Sequence, residues 1–491
     1  MFGALLLAGC IKVNPADGAF VCGAGGKCPD GYYCAGNNTC WHSGHTVNLD
    51  MSMADLRQPS CADTMTCKVN QACTQASDCA TGSCLKGFCQ LVSDSPKWIA
   101  TGVPPLPGPR AEFAGFVTSD GLLMSVSGLV TASGPPTAAV TDYKVGTGNV
   151  KSYAALPNPR SGHSASVGPD GRFYVTGGNT GSQLATNLVD AFDYASNTAN
   201  SPAAPAALNV GRRHAASGYA GGKLWVFGGF DGSKVLSSIE VYNPGSPDSW
   251  TQIAAVLPTP RTGLAAVTGA DGLVYTVGGG DSTMTAAPSL EIFDPKSMVW
   301  TTGANMSMGR IGLAAVAAAD GRIYAIGGAQ QASSFDSTPT VEAYTPATNT
   351  WVPVAKLNVP RLSGVALVGP DNRIYFMGGY AMGGADMGAG ANPSAVVEVY
   401  GPAMAVAPGT GTAGATNVSI TGSNFAANAV VDIFFGDPAS TPVASGNTDA
   451  DGNISAAVNF IIPANATPGS AKIFAVDRKS QYPAVTTFAV Q

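Results

Sequence analysis

One line of sequence recurs six times between residues 110 and 379, and this recurrence limits the fold more than any other feature of the chain. Aligned on a glycine pair, the lines begin at Arg110, Arg160, Arg212, Arg261, Arg310 and Arg361. They end at Ser127-Gly128, Gly177-Gly178, Gly228-Gly229, Gly278-Gly279, Gly327-Gly328 and Gly378-Gly379, with 49 to 51 residues from one pair to the next. A period of that length marks a repeat architecture, in which each unit buries its apolar surface only by stacking on its neighbours. Within a line such as "RIGLAAVAAADGRIYAIGG" an apolar run, a turn and an alternating apolar run predict two strands. The turn pairs Asp120-Gly121, Asp170-Gly171, Gly221-Gly222, Asp271-Gly272, Asp320-Gly321 and Asp371-Asn372 supply the left-handed backbone of tight hairpins.

A third run follows each line: "VTDYKV", "LVDAFD", "IEVYNP", "LEIFDP", "VEAYTP" and "VVEVYGP". A fourth opens at Trp250, Trp300 and Trp351. Four short strands per period make one propeller blade, so six units predict six blades and an all-β class. No tryptophan strand follows the sixth unit, but "PKWIATGVPPLPGPR" precedes the first. The expectation is that Trp98 and Ile99 pair with the strand around Val397 and Val399 and so close the ring. The leading Arg, the double glycine, and the Tyr and Trp at set intervals resemble the kelch family, over about 300 residues in a repeat array. That resemblance implies a kelch β-propeller. Departures fall in the first two units, with Ser127 for a glycine, Tyr153 for the tryptophan, and no aromatic in the second.

Residues that recur once per unit read as structural. The glycine pairs, with Gly178, Gly229, Gly279, Gly328 and Gly379 in second place, answer a need for positive φ or close approach. The Arg set and the acidic set, Asp190, Glu240, Glu291, Glu342 and Glu398, are expected to form inter-blade or loop-fixing pairs, because a catalytic carboxylate breaks symmetry. Tyr174, Trp225, Tyr275, Tyr324 and Tyr375 share one strand position and read as packing aromatics. Copper radical oxidases also use kelch propellers, but they need a cysteine crosslinked to a tyrosine. Residues 97–402 hold no cysteine, and their only histidines, His163 and His214, align to one position in neighbouring blades. No His, Glu and Arg constellation that breaks the symmetry stands out for a kelch-type sialic-acid isomerase. Neither a catalytic residue, a cofactor nor a metal is assigned. Where the units differ, the loop "YAMGGADMGAGANPSA" is the longest; Tyr380, Met382, Asp386 and Met387 are its candidate contacts, and "AQQASSFDSTPT" is a second loop expected on the same face.

All eleven cysteines precede residue 90. "LLLAGC" resembles the lipobox of bacterial lipoproteins, which implies a signal peptide over residues 1–9 and lipid on Cys10. That leader is short and lacks the basic residues of a secretory signal, so either the start lies upstream of Met1 or the match is chance. The remaining cysteines form even groups, Cys22, Cys28, Cys34, Cys40 and then Cys61, Cys67, Cys73, Cys79, Cys84, Cys89, expected as disulfides of open connectivity. Cys40, His42 and His45 in "CWHSGH" are the alternative, a metal, which the six-residue cysteine spacing disfavours. Residues 10–60 thus read as a lipidated cysteine-rich segment and linker, and 61–90 as a second module resembling those of delta-proteobacterial lipoproteins.

Residues 97–402 are the propeller. Residues 403–491 are alternating strands in which "ITGSNF" and "TPGSAKIFAV" resemble Ig-like domains of the IPT/TIG kind. A net charge of −6 offers no basic stripe for nucleic acid. The expected protein is therefore an outer-membrane or cell-surface lipoprotein of a Gram-negative bacterium, tethered to membrane by its lipid only. Its expected role is to bind a protein or surface glycan without being an enzyme. The alternative is an extracellular carbohydrate-active isomerase or hydrolase working through carboxylates.

Overall fold

The computed structural model describes residues 96–491 except 246, 331–336 and 382–391, together with short strands earlier in the chain. Residues 1–92 and 93–491 form two compact units. In the first, Cys10–Lys12, Phe20–Cys22, Tyr32–Cys34 and Thr39–His42 make one antiparallel sheet, and Cys84–Leu85 pairs with Phe88–Cys89. The lipidation expected at Cys10, the side chains of the ten disulfide candidates, His42, His45, Met382, Asp386 and Met387 lie outside what the structure describes.

In the second unit six antiparallel sheets follow one another. Their inner strands are Ala114–Val117, Ser164–Val167, Ala216–Ala220, Ala265–Thr268, Ala314–Ala317 and Val365–Val368. Each inner strand touches the next, and the sixth touches the first. The second strands, "LMSV", "FYVT", "LWVF", "VYTV", "IYAI" and "IYFM", are buried on both faces, because every sheet is covered by a neighbour on each side. The alternating burial expected of these runs is thereby corrected: all four positions of each are buried. The apolar clusters sit between sheets. Phe116, Val126, Phe173 and Phe192 join the first to the second, and Leu123, Tyr143, Tyr375 and Val399 join the sixth to the first.

The sixth sheet takes its outer strand from the front of the ring: Ile99 pairs with Val399 and Trp98 with Tyr400. The Trp98 ring is buried against Phe376 and Tyr400 at centroid distances of 6.5 and 5.3 Å. The first sheet has three strands where four are expected. A single bridge between Thr141 and Ser152 stands for the fourth, and the Tyr153 hydroxyl donates to Asp142 at 3.0 Å.

The recurring arginines are fully buried in sheets two to six, and each pairs with the acid of its own sheet: Arg160 with Asp190, Arg212 with Glu240, Arg261 with Glu291, Arg310 with Glu342, Arg361 with Glu398. The tie between sheets is made by backbone instead. The second glycine of each pair donates its N–H to the arginine carbonyl of the next unit, Gly178 to Arg212, Gly279 to Arg310, and Gly379 to Arg110. At Gly178 φ is +107°, and a Cβ would stand 2.8 Å from the Ser161 carbonyl oxygen, so glycine is required there.

Beyond residue 402, Ala403–Ala407, Asn417–Ser423 and Val458–Ile461 form one sheet, and five further strands ending in Pro483–Val490 form another. The two share a core of Val418, Ile433, Phe460, Ile473 and Phe488. This domain is seated on the ring. Tyr482 packs on Tyr324 and Tyr400 and donates to the Asn372 carbonyl at 2.7 Å. The Asn424 amide accepts from the Lys97 N–H and donates to the Lys97 carbonyl, both at 2.9 Å, beside the closing strand.

Candidate functional site: an axial pocket

The residue two places after each recurring arginine turns the chain toward the ring axis, and all six such residues have left-handed backbone: Glu112 (φ 51°), Gly162 (59°), His214 (50°), Gly263 (62°), Gly312 (64°) and Ser363 (54°). Their peptide groups form a closed circle. Gly162 donates to Glu112, His214 to Gly162, Gly263 to His214, Gly312 to Gly263, Ser363 to Gly312, and Glu112 back to Ser363, at 2.6 to 3.0 Å. Left-handed backbone costs a side-chain-bearing residue about 1–2 kcal/mol, and glycine fills three of the six places. Glu112, His214 and Ser363 bear that strain, which marks them as the positions where the ring departs from its own repeat.

These residues line a cavity of about 400 Å³, together with Arg213, Phe230 and Tyr380. The Glu112 carboxylate reaches His214 Nε2 at 3.5 Å and accepts from the Tyr380 hydroxyl at 3.5 Å. Burial pushes the Glu112 carboxyl up, but the His214 hydrogen bond and charge, a Ser161 hydrogen bond and the Arg213 charge outweigh it, holding the group at about 2. The carboxylate is therefore ionised at any physiological pH. Gly162 makes the contact feasible: a Cβ there would lie 2.5 Å from His214 Cδ2, in the space where the imidazole passes over the second unit to meet the first. The Arg213 guanidinium stacks on Phe230 at 5.4 Å.

His163 does different work. Burial first, and then the Arg160 charge, push its pKa down to about 3, and Nε2 lies 3.2 Å from the Val126 carbonyl, so this neutral ring is a packing group that ties the second unit to the first. The alignment of His163 with His214 is thereby corrected. His214 shares the axial position with Gly162, and Ala215 takes the place of His163 beside the second glycine of its pair. The third unit has one residue fewer between its arginine and its glycine pair, so an alignment anchored on the glycines slips by one.

The constellation of Glu112, Arg213, His214 and Tyr380 is what the repeat-by-repeat reading missed. Its signal lies at the third residue of each line, where the series Glu, Gly, His, Gly, Gly, Ser breaks the pattern. Of the loop contacts singled out in sequence, Tyr380 lines the pocket, in a short strand that pairs with Arg361–Leu362 and Asn392–Pro393. Burial and Glu112 push its hydroxyl pKa well above the tyrosine range. The second variable loop departs from Ala329, which also lines the pocket. Among the described residues, no three His, Cys, Asp or Glu side chains gather as a metal site.

Residues 116–313 match the KLHDC2/KLHL20/DRC7 Kelch-repeats domain and residues 311–358 the Kelch motif. Alpha-scruin of Limulus polyphemus is 28% identical over 241 residues, 46% of this chain and 25% of that protein. Kelch-like protein 35 of Mus musculus is 37% identical over 81 residues, 16% of this chain and 13% of that one. The chain thus spans a quarter or less of the length of these relatives. Among solved structures, that of YjhT aligns with a TM-score of 0.50 at 17% identity, over 60% of this chain and 96% of its own, a likeness of fold alone.

Proposed function

We propose that this kelch β-propeller, read as six-bladed, belongs to an exported, lipid-anchored protein that holds a protein or a surface glycan on the face bearing the axial pocket. Kelch repeats support an interaction scaffold. The observation that carries the choice of face is the axial circle, where three of six positions abandon glycine and bring a carboxylate and an imidazole to one cavity. Both variable loops depart from residues of that cavity, as binding loops on a rigid scaffold do. The export reading rests on "LLLAGC" and on cysteines confined to the first ninety residues. The two-sheet tail fits an Ig-like, IPT/TIG-like domain that orients the ring.

Binding is preferred to catalysis because hydrolysis of a glycoside ordinarily takes two carboxyl groups, one with a raised pKa. Among the described residues Glu112 is the only carboxylate lining the pocket, and its pKa is lowered. The Glu112–His214 contact is the one feature that favours the alternative, a carbohydrate-active enzyme, since a carboxylate can orient an imidazole for proton transfer. A glycan array and crosslinking on intact cells, run with the wild type, Glu112→Gln and Arg213→Ala, separate these readings. The expected result is a ligand released unchanged and held about tenfold or more weakly by either variant, the cost of one charged hydrogen bond. Retention equal in all three proteins overturns the assignment of the face, and chemical change of the ligand by wild type alone favours the enzyme.

A further inference from the structure

In sheets two to six a terminal nitrogen of the recurring arginine donates to an acid of the same sheet, at Asp190, Glu240, Glu291, Glu342 or Glu398. The first sheet keeps the arginine and lacks the acid. Thr141 faces Ser125 in the register in which Asp190 faces Val175 and Glu342 faces Ala325. Arg110 donates through Nη1 to the Ala139 carbonyl at 3.3 Å and to Ser125 Oγ at 3.5 Å, and among the described residues no carboxylate pairs with it. Burial pulls its pKa down with no partner opposing it, whereas at Arg160 burial also pulls the pKa down but the Asp190 charge and hydrogen bond oppose it. The nearby acids are engaged elsewhere: Asp142 accepts from the Lys151 N–H and the Tyr153 hydroxyl, and Glu112 meets His214.

The cover over the pair is missing too. In the second sheet Asn158, two residues before Arg160, turns its amide onto Asp190 at 3.2 Å. The residue two before Arg110 is Gly108, where a Cβ would meet nothing within 4 Å. Arg110 is accordingly 7% exposed where the other five arginines are 0%. A mostly buried guanidinium with no counter-charge is costly to hold, and this one keeps a small exposure that the other five lack.

We infer that the first blade holds a small monovalent anion beside Arg110, in the place that a carboxylate takes in the other five. The guanidinium supplies the charge. Ser125 Oγ and Thr141 Oγ1 lie 2.8 Å apart; Ser125 accepts from Arg110, and with Ser125 as the donor to Thr141 the Thr141 hydroxyl hydrogen is left for the ion. One cation and one hydroxyl suit a halide-sized ion and give a phosphate dianion no second partner. The site is separate from the axial pocket, and its test does not depend on the proposed function.

The test uses the full chain and chloride. Thermal unfolding is followed in sodium chloride and in sodium gluconate at equal ionic strength, and crystals are soaked in bromide. The expected results are a midpoint that rises saturably with chloride in the wild type and an anomalous bromide peak against the Arg110 guanidinium. In Thr141→Glu, which restores the missing carboxylate, the chloride response is lost, while the midpoint in gluconate exceeds that of the wild type. An equal chloride response in both proteins, or wild-type crystals with no bromide at Arg110, overturns the assignment. The bromide experiment decides it even if Thr141→Glu does not fold.

Discussion

Replacing Glu342 by alanine is expected to destabilise the ring by about 3–5 kcal/mol, because it strands a buried guanidinium without its counter-charge. Arg310 is fully buried and donates to the carbonyls of Ala325, Gly327 and Thr340 at 3.1, 3.2 and 2.9 Å as well as to Glu342 at 2.9 Å. Glu342 in turn accepts from the Ser307 N–H at 2.9 Å, so one carboxylate holds both the arginine and the loop that precedes it. The Arg310 carbonyl receives the Gly279 N–H of the preceding unit, which places that loss at a junction between sheets. The double change Arg310→Met with Glu342→Leu is expected to recover most of the loss, since two desolvation costs disappear together. Urea unfolding followed by tryptophan fluorescence measures both proteins. A loss below about 1 kcal/mol for Glu342→Ala, the size expected of an exposed pair, contradicts this role.

Trp98→Ala is the second large effect, about 3–5 kcal/mol for a buried aromatic. Two features modify that figure. The indole N–H of Trp98 is buried without a partner, so its removal returns part of the cost and favours the lower end. The Trp98 carbonyl accepts from the Asn358 amide, which also holds Glu398, so loosening this strand disturbs the sixth arginine pair. The ring is expected to open where the first and sixth sheets meet, exposing the Val397–Tyr400 edge. Limited proteolysis is expected to cleave the variant near residue 100 under conditions that leave the wild type whole. Equal resistance in the two proteins places the fastening elsewhere.

Much of the ring was legible in the sequence, because every sheet repeats the same apolar runs and turns, and a missing outer strand at one end matched a spare one at the other. The axial site was not, for two reasons. Glu112, His214 and Ser363 lie in irregular backbone between elements, where neither strand nor helix period applies, and the glycine-anchored alignment hid the kinship of His214 with Gly162. The odd arginine was visible as an acidic series that begins only at Asp190. Its meaning needed the register that sets Thr141 opposite Ser125. The seat of the tail domain was unreadable, since it rests on lone residues such as Asn424 and Tyr482, and Asn424 meets Lys97 across 327 positions of chain.

The function argued above depends on a closed circle that delivers Glu112, His214 and Ser363 to one axial pocket. Residue-resolved amide hydrogen exchange of the native chain tests that circle most directly, at Glu112, Gly162, His214, Gly263, Gly312 and Ser363, each of which donates its N–H to the preceding member around the ring. All six are predicted to exchange together, far more slowly than the exposed, unbonded turn amides at Gly102, Gly146 and Gly232. Exchange of any of the six at the rate of those turns contradicts the closed ring, and with it the pocket.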